Sequence, residues 1–280
     1  MRSEIIFAGN GLWELRVVFD KIAGVLETQV GYICGQRKKK RKSPIIPDSA
    51  DRMEVVYIVY DSQKITLQEL LKLFFMFHDP TAPNRQGFDK EAQYQSTIYY
   101  LKQADKKIIS DFIKKIKPFY DKKIIMHVKK AGMFQPVKDY KKHYHRQSHL
   151  DKQIEQNKEQ FLRHVLSPEQ YRVMRKKGTE APFSGKYIYT DEKGVYRCAA
   201  CGQKLFKSDS KFQSSCGWPS FDEAYPDSTL IRKDFSHFMI RDEVLCRRCG
   251  SHLGHLFNDG TTETAIRYCI NSLALKFTKK

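Results

Sequence analysis

Hydrophobic and polar positions along this chain follow two different regimes. In the first, short apolar runs alternate with stretches of helical spacing. Ile5-Ile6-Phe7 predicts a short strand, Gly9-Asn10-Gly11 a turn, and Trp13, Val17 and Val18 one face of a helix from Trp13 to Ile22 that stops near Gly24. Glu54 to Tyr60 predicts a strand. Thr66 to His78 predicts a helix opened by a Thr66 cap with Glu69 three residues on. Ser96 to Leu101 reads as another strand and Asp105 to Lys117 as another helix, so this part is α+β or α/β, with strand order left open.

Between His143 and His164 the apolar positions thin out and Gln147, Gln153, Gln156 and Gln160 stand among acids and bases, which predicts a linker with helical character. Ser167-Pro168-Glu169-Gln170 has the form of a helix start, with proline at its first position. Beyond it the pattern turns to short strands and turns, closing with a strand over Ala265 to Phe277. The expected organisation is an N-terminal domain over 1–145, a linker over 146–165 and a mostly β domain over 166–280.

Composition changes this picture in one respect. The 280 residues carry 50 Lys and Arg against 32 Asp and Glu, a formal charge of +18, which points to acidic partners in general: nucleic acid, anionic membrane or acidic protein. Much of that charge lies in solvated runs such as Arg37 to Lys42, without the interleaved aromatics of single-strand binders, so specific nucleic-acid binding is not expected. No run approaches the ~18 apolar residues of a membrane span, and Met1 to Ala8 lacks a signal core; a cytoplasmic protein with reduced thiols is expected.

Candidate chemistry is concentrated in the last third, which holds six of the seven cysteines. Cys198/Cys201 and Cys246/Cys249 form two Cys-x-x-Cys knuckles, the arrangement that supplies four soft ligands to a tetrahedral structural zinc. Two disulfides are the other reading, disfavoured in a reducing compartment. A closed four-sulfur site would hold structure and take no part in chemistry.

Cys216 and Cys269 stand apart from the knuckles. In an extended strand Arg267, Cys269 and Asn271 share one side, so the cation would stabilise a Cys269 thiolate and Asn271 would offer hydrogen bonds to a reacting atom. An inert buried thiol is the alternative. Cys216-Gly217-Trp218-Pro219 sets a cysteine on a turn beside an aromatic wall, suited to a resolving thiol. His252-Leu253-Gly254-His255 followed by Asp259 supplies acid and base groups, though His-x-x-His alone also fits a second metal site or surface residues.

With these residues in view, Leu166 to Lys280 resembles methionine sulfoxide reductase B through Pro182-Phe183-Ser184-Gly185, Gly217-Trp218-Pro219-Ser220-Phe221, His252-Leu253-Gly254-His255 and Arg267-Tyr268-Cys269-Ile270-Asn271. The resemblance implies two packed antiparallel sheets and a zinc on Cys198, Cys201, Cys246 and Cys249. It also implies Cys269 as nucleophile, Cys216 as resolving cysteine, Trp218 as the pocket wall, and His252, His255, Asp259, Arg267 and Asn271 as the polar catalytic shell. The implied reaction is reduction of methionine (R)-sulfoxide in oxidised proteins, through a sulfenic acid and a Cys269–Cys216 disulfide that a thioredoxin-like reductant reopens. In that reaction His255, oriented by Asp259, helps to protonate the departing oxygen.

The stretch from Ile5 to Tyr144 resembles methionine sulfoxide reductase A, the unrelated enzyme for the S epimer. The supporting segments are Gly24-Val25, Val30-Gly31-Tyr32, Glu54-Val55-Val56, His78-Asp79-Pro80-Thr81, Asn84 to Asp89 and Gln93-Tyr94-Gln95-Ser96. The implied fold is a mixed α/β sandwich, which makes the whole chain an α+β fusion. Trp13, Glu54, Asp89 and Tyr94 fall on that family's substrate-binding positions, whereas Gly11 stands where its nucleophilic cysteine belongs and Cys34 does not match it. The expectation is therefore that this domain does not reduce the S epimer. It could be a pseudoenzyme that still binds sulfoxide or a partner, or a scaffold; alternatively Gly11 is a substituted reactive position and the chain is a bifunctional A/B reductase. The rival from another class, a zinc-ribbon protein that binds nucleic acid, accounts for the four knuckle cysteines and the charge but not for Cys216 and Cys269.

Overall fold

A computed structural model describes residues 1–9, 12–34, 52–81, 85–86, 89–90, 96–137, 147–236 and 239–279. The chain divides into two compact units, Met1–Phe161 and Leu162–Lys280. No described helix is long and apolar enough to cross a membrane.

In the first unit, β1 (Arg2–Ala8), β2 (Val25–Cys34), β3 (Arg52–Asp61), the two-residue strands β4 (Arg85–Gln86) and β5 (Asp89–Lys90), β6 (Thr97–Tyr100), β7 (His127–Lys130) and β8 (Met133–Pro136) are joined by α1 (Leu12–Asp20), α2 (Leu67–Phe77) and α3 (Gln103–Ile116). Six strands form one sheet in the order β7-β6-β1-β3-β2-β8, with β6 and β7 parallel and the other neighbours antiparallel; β4 and β5 pair by themselves. This is a mixed α/β domain. The long strand β2 and the edge strands β7 and β8 escaped the sequence reading, since Val25-Leu26-Glu27-Thr28-Gln29-Val30 and the exposed positions of β7 and β8 lack a continuous apolar run.

Alternation along β1 buries both faces of the sheet. Phe7 stacks on Phe74 of α2 at 4.4 Å and lies 5.6 Å from Phe19 of α1. On the other face Ile6 and Ala8 pack with Ile33, Val55 and Tyr99. The predicted cap of α2 is present in full: the Thr66 hydroxyl accepts from the Glu69 N–H, and the Glu69 carboxylate accepts from the Thr66 N–H. Gly31 has a steric role, because a Cβ there would lie 2.5 Å from the Phe134 ring.

The stretch expected as linker is one helix, α4 (Gln147–Val165), whose last residues belong to the second unit. There α5 (Pro168–Lys176) opens with a Ser167/Gln170 capping box and Pro168 in the first turn. Two antiparallel sheets follow. One joins β9 (Gly194–Cys198), β10 (Lys204–Lys207) and β17 (Leu275–Lys279) in the order β10-β9-β17. The other runs β11-β12-β16-β15-β14-β13, from β11 (Lys211–Phe212), β12 (Ser220–Phe221), β13 (Thr229–Asp234), β14 (Arg241–Cys246), β15 (His252–Phe257) and β16 (Arg267–Ile270). Their inner faces meet at Tyr196 and Phe221, with ring centroids 5.0 Å apart, and Phe206 stacks on Phe221 at 4.3 Å.

The last predicted strand is corrected by the structure. Ala265 to Phe277 is not a single strand: β16 ends at Ile270, a 3-10 turn covers Ser272–Ala274, and β17 belongs to the other sheet. The cause is the buried carboxylate of Glu180, which accepts from the N–H groups of Ser272 at 2.5 Å and Leu273 at 3.0 Å and so withdraws them from any ladder.

Replacing Thr66 by alanine removes the hydroxyl that accepts from the Glu69 N–H, one half of the α2 capping box, and is expected to cost about 1 kcal/mol. A lower midpoint of urea unfolding, followed by circular dichroism, would show it; an unchanged midpoint would mean that packing alone fixes the start of α2.

Candidate active site

Three adjacent strands carry the reactive residues. On β16, Cys269 lies opposite Ser220 of β12 and opposite His255 of β15. This register places the Cys269 sulfur 3.6 Å from that of Cys216, which precedes β12 in a loop, and both are free thiols. Gly217 makes the loop possible: its φ of +89° suits glycine, and a Cβ would meet Pro182 at 2.7 Å. Gly254 of β15 is required just as strictly, because a Cβ there would lie 2.0 Å from the Cys269 carbonyl oxygen.

The two thiols act as a coupled pair. Cys216 is pulled down to about 4, first by its contact with Cys269 and then by the hydroxyls of Ser214 and Ser220, against the effect of burial. Cys269 is pushed well up by the same contact and by burial, while Arg267 pulls it down. The expected effect of Arg267 on Cys269 is present, and the two sulfurs in contact share one proton as a pair.

Two histidine–carboxylate pairs border the thiols. His255 Nε2 is 3.1 Å from Asp234 Oδ2, and Asp234 also accepts from Arg241 and from the Ser236 N–H and hydroxyl. The sequence assigned this role to Asp259. Instead Asp259 accepts from Arg267 Nε and Nη2, both at 2.8 Å, a bidentate fork that holds the guanidinium. Asp234 and its partner strand could be recognised only after folding, because Asp234 is 21 residues from His255 in sequence.

His252 Nδ1 is 2.9 Å from the fully buried Glu243, whose other oxygen accepts from Lys177 at 2.9 Å and Arg232 at 3.1 Å. Three residues apart, the two histidines would point to opposite faces of a regular strand. A register shift between Val244 and Leu245 of β14 leaves Leu253 bulged and brings both rings to one side, with centroids 5.3 Å apart. Burial lowers the pKa of both histidines, and the bonds to Glu243 and Asp234 act in the opposite direction. His252 Nε2 and Arg267 Nη1 are buried with no protein partner, which leaves polar capacity for a bound oxygen.

Asn271 does not face the reacting atoms with a free amide. Its Oδ1 accepts from the Glu180 N–H and its Nδ2 donates to the Leu253 carbonyl, both at 3.0 Å. Trp218 Nε1 donates to the Glu180 carbonyl at 3.1 Å, so the same residue anchors the indole beside Cys216.

The knuckle cysteines Cys198, Cys201, Cys246 and Cys249 are all buried, with sulfurs within 4.8 Å of one another and pairs at 3.6 and 3.7 Å. Sulfurs bound to one tetrahedral zinc at about 2.3 Å would be about 3.8 Å apart, so the cluster fits that ion. Burial drives the thiols of Cys198 and Cys246 up, whereas hydrogen bonds from the other three sulfurs drive Cys249 down; four thiolates in this volume require a cation.

In the first unit, Glu54 on β3 is partly buried and lies opposite Tyr32 on β2, a pairing that the sequence reading missed because β2 was missed. His78, stacked on Phe74, is buried, and its Nε2 is 2.7 Å from the Ser96 hydroxyl. A Cβ on Gly9 would lie 2.4 Å from that imidazole. Gly11 and Tyr94 lie outside the described residues, as do the side chains of Trp13, Cys34 and Asp89.

Comparison with known proteins adds two family matches: residues 3–171 to peptide methionine sulfoxide reductase and residues 166–279 to the SelR domain. Among solved structures, Mxr1 of Saccharomyces cerevisiae in reduced form is 28% identical, with 50% of this chain and 81% of that one aligned and a TM-score of 0.44. Methionine sulfoxide reductase A of Corynebacterium diphtheriae is 23% identical over 48% and 69%, at 0.42. Mxr1 in complex with Trx2 is 22% identical over 50% and 83%, at 0.37. The family matches, and not these superpositions, carry the assignment.

In the Asp234→Asn variant the His255 imidazole is expected to titrate at lower pH than in the parent. Burial continues to disfavour the cation, while the carboxylate that raised the pKa is gone. Titration by NMR would show this, and an unchanged or higher pKa would mean that Asp234 does not hold the proton on His255.

Proposed function

The chain belongs to the peptide methionine sulfoxide reductase family, as a fusion of that domain with a SelR domain, and from this premise we propose that its C-terminal domain reduces methionine (R)-sulfoxide in proteins. Reduction of methionine sulfoxide is the activity of both domain families; the choice of epimer and the mechanism are the reading put forward here. The observation that carries it is the pair of free thiols, Cys216 and Cys269, with sulfurs 3.6 Å apart beside two carboxylate-bound histidines.

The reaction divides into three steps. With the shared proton of the pair on Cys216, the Cys269 thiolate attacks the sulfoxide sulfur while protonated His255 gives a proton to the oxygen. The protonated oxygen then moves to the Cys269 sulfur as the methionine S–O bond and the new S–S bond break, so that methionine leaves and Cys269 carries a sulfenic acid. Cys216 then attacks the Cys269 sulfur, water departs and a disulfide forms. A dithiol reductant of the thioredoxin class takes up the oxidising equivalents and restores both thiols. Trp218 serves as the wall for the substrate methyl group, Arg267 stabilises developing charge, and Asp259 holds Arg267. Asn271 acts as a positioning residue that ties β15 to Glu180.

Cys198, Cys201, Cys246 and Cys249 would hold a structural zinc. When bound, that ion would offset half of the charge of the four thiolates and tie the β9 knuckle to the β14 knuckle. It has no open position for chemistry.

The domain over 1–145 retains the fold of its family but not the nucleophile, since Gly11 occupies that position in the sequence. No S-epimer reduction is proposed for it, although Glu54 stays on the sheet opposite Tyr32. A cytoplasmic location is consistent with the reduced thiols that this chemistry needs.

Separate R and S epimers of a methionine sulfoxide peptide, with dithiothreitol as reductant, test this reading. Turnover of R alone is expected, falling by at least about 1000-fold in Cys269→Ser while zinc content is kept. Turnover of S by the parent would restore catalysis to the N-terminal domain, and turnover of neither would end the assignment. The purified chain is also expected to contain one zinc, whose removal by a strong chelator unfolds the C-terminal domain by circular dichroism; an apo chain of unchanged fold would contradict the structural role.

A further inference from the structure

We propose that Ser214 and Ser220 are positioning residues for the second step of the reaction, whose hydroxyls hold Cys216 as the thiolate that attacks the Cys269 sulfenic acid. The proposal rests on the proposed function and specifies how its resolving thiol is activated.

Ser220 lies on β12 opposite Cys269, and Ser214 lies in the loop between β11 and β12, two residues before Cys216. Ser214 Oγ is 3.0 Å from Cys216 Sγ and 2.7 Å from Ser220 Oγ, and Ser220 Oγ is itself 3.5 Å from the sulfur. Ser220 is buried, which shields these contacts from water. The Trp218 carbonyl accepts from the same groups, 3.5 Å from Cys216 Sγ and 3.3 Å from Ser220 Oγ.

Counting hydrogens gives the direction of the effect. As a thiol, Cys216 donates to the Trp218 carbonyl. As a thiolate it can only accept, and the hydroxyls then form one chain, Ser220 O–H to Ser214 Oγ and Ser214 O–H to the sulfur, in which each bond polarises the next. A hydrogen bond to an ionised sulfur is stronger than one to a neutral thiol, so the chain favours the thiolate.

The charged and titratable groups around Cys216 are Cys269 at 3.6 Å, Arg267 two residues before it on β16, and His255 opposite Cys269 on β15. In the resting pair, contact with Cys269 is the largest influence on Cys216, ahead of the hydroxyls. The first step changes that contact: Cys269 becomes a sulfenic acid and Cys216 is left with the proton of the pair. Ser214 and Ser220 are untouched by the chemistry and remain to ionise Cys216 when it must act. In the resolving step the Cys216–Cys269 S–S bond forms, the Cys269 S–O bond breaks, and the proton given up by Cys216 is balanced by the one that lets the hydroxyl depart as water.

Removing a hydroxyl therefore acts on the two steps in opposite directions. A less favoured Cys216 thiolate moves the shared proton towards Cys216 and leaves Cys269 ionised, so methionine release does not slow. Disulfide formation does slow near neutral pH. The deficit closes at alkaline pH, where Cys216 is ionised in any case and a less stabilised thiolate is the better nucleophile. A loop that is merely displaced is slow at every pH.

The test uses the reduced full chain and its Ser214→Ala, Ser214→Thr and Ser220→Ala variants in a single turnover of a methionine (R)-sulfoxide peptide without external reductant. Methionine is followed by chromatography and the Cys216–Cys269 disulfide by mass spectrometry of quenched samples. In parallel, alkylation of Cys216 by iodoacetamide is measured against pH in a Cys269→Ser background, which needs no turnover. In Ser214→Ala, methionine is expected no later than in the parent, and the disulfide at least about threefold more slowly near neutral pH and equally fast at alkaline pH. The alkylation profile is expected to move upward by about one pH unit, about tenfold less thiolate at a given pH, and Ser214→Thr, which keeps the hydroxyl, is expected to match the parent. A disulfide that keeps pace with methionine release in both alanine variants, a deficit equal at every pH, or an unmoved alkylation profile overturns the proposal. A parent that releases no methionine overturns the proposed function, while the alkylation profile still decides the role of the serines.

Discussion

Most of the C-terminal site depends on the buried Glu180. Its carboxylate accepts from two backbone N–H groups at the end of β16, its own N–H donates to Asn271, and its carbonyl accepts from Trp218. Burial alone would raise its pKa, and the N–H groups of Leu273 and Ser272 oppose that shift. Each of these contacts satisfies a buried polar group whose loss would cost about 1–3 kcal/mol, so the cluster forms as a whole or not at all. Its consequence is geometric: the chain leaves one sheet after Ile270 and enters the other at Leu275, which fixes the end of the strand that carries Cys269.

Charge placement around the thiols follows the same logic of shared, satisfied groups. Two sulfurs 3.6 Å apart cannot both ionise easily, so the pair keeps one proton and provides both a nucleophile and the base that frees it. Each cation or imidazole nearby has its own carboxylate: Arg267 has Asp259, His255 has Asp234, and His252 has Glu243. The buried Glu243 needs two further cations, Lys177 and Arg232, because one neutral histidine would leave it uncompensated. The four-cysteine cluster is separate from this network and solves a different problem, the closure of two knuckles in a domain of short strands.

The first unit holds its helices on the sheet with an aromatic core. Phe7 stacks on Phe74 of α2 and lies against Phe19 of α1. Fold and reactive site reside in different residues, so a packed core by itself assigns no chemistry.

Where local chemistry was sufficient, the sequence alone determined this protein. Apolar periodicity placed β1, β3, α2 and α3 to within a few residues, Thr66 and Ser167 announced their helix starts, and paired knuckles announced the buried four-cysteine cluster. Tertiary structure decided whatever depended on strands meeting. Asp234 replaced Asp259 as the partner of His255 because β13 and β15 are brought together around β14. The two histidines share a face only because a bulge interrupts the two-residue period. Asn271 proved to be a structural clasp because Glu180, 91 residues away in sequence, lies against it. A motif lists the groups that a site can use; distance and register assign their partners, and those arise only when distant segments pack.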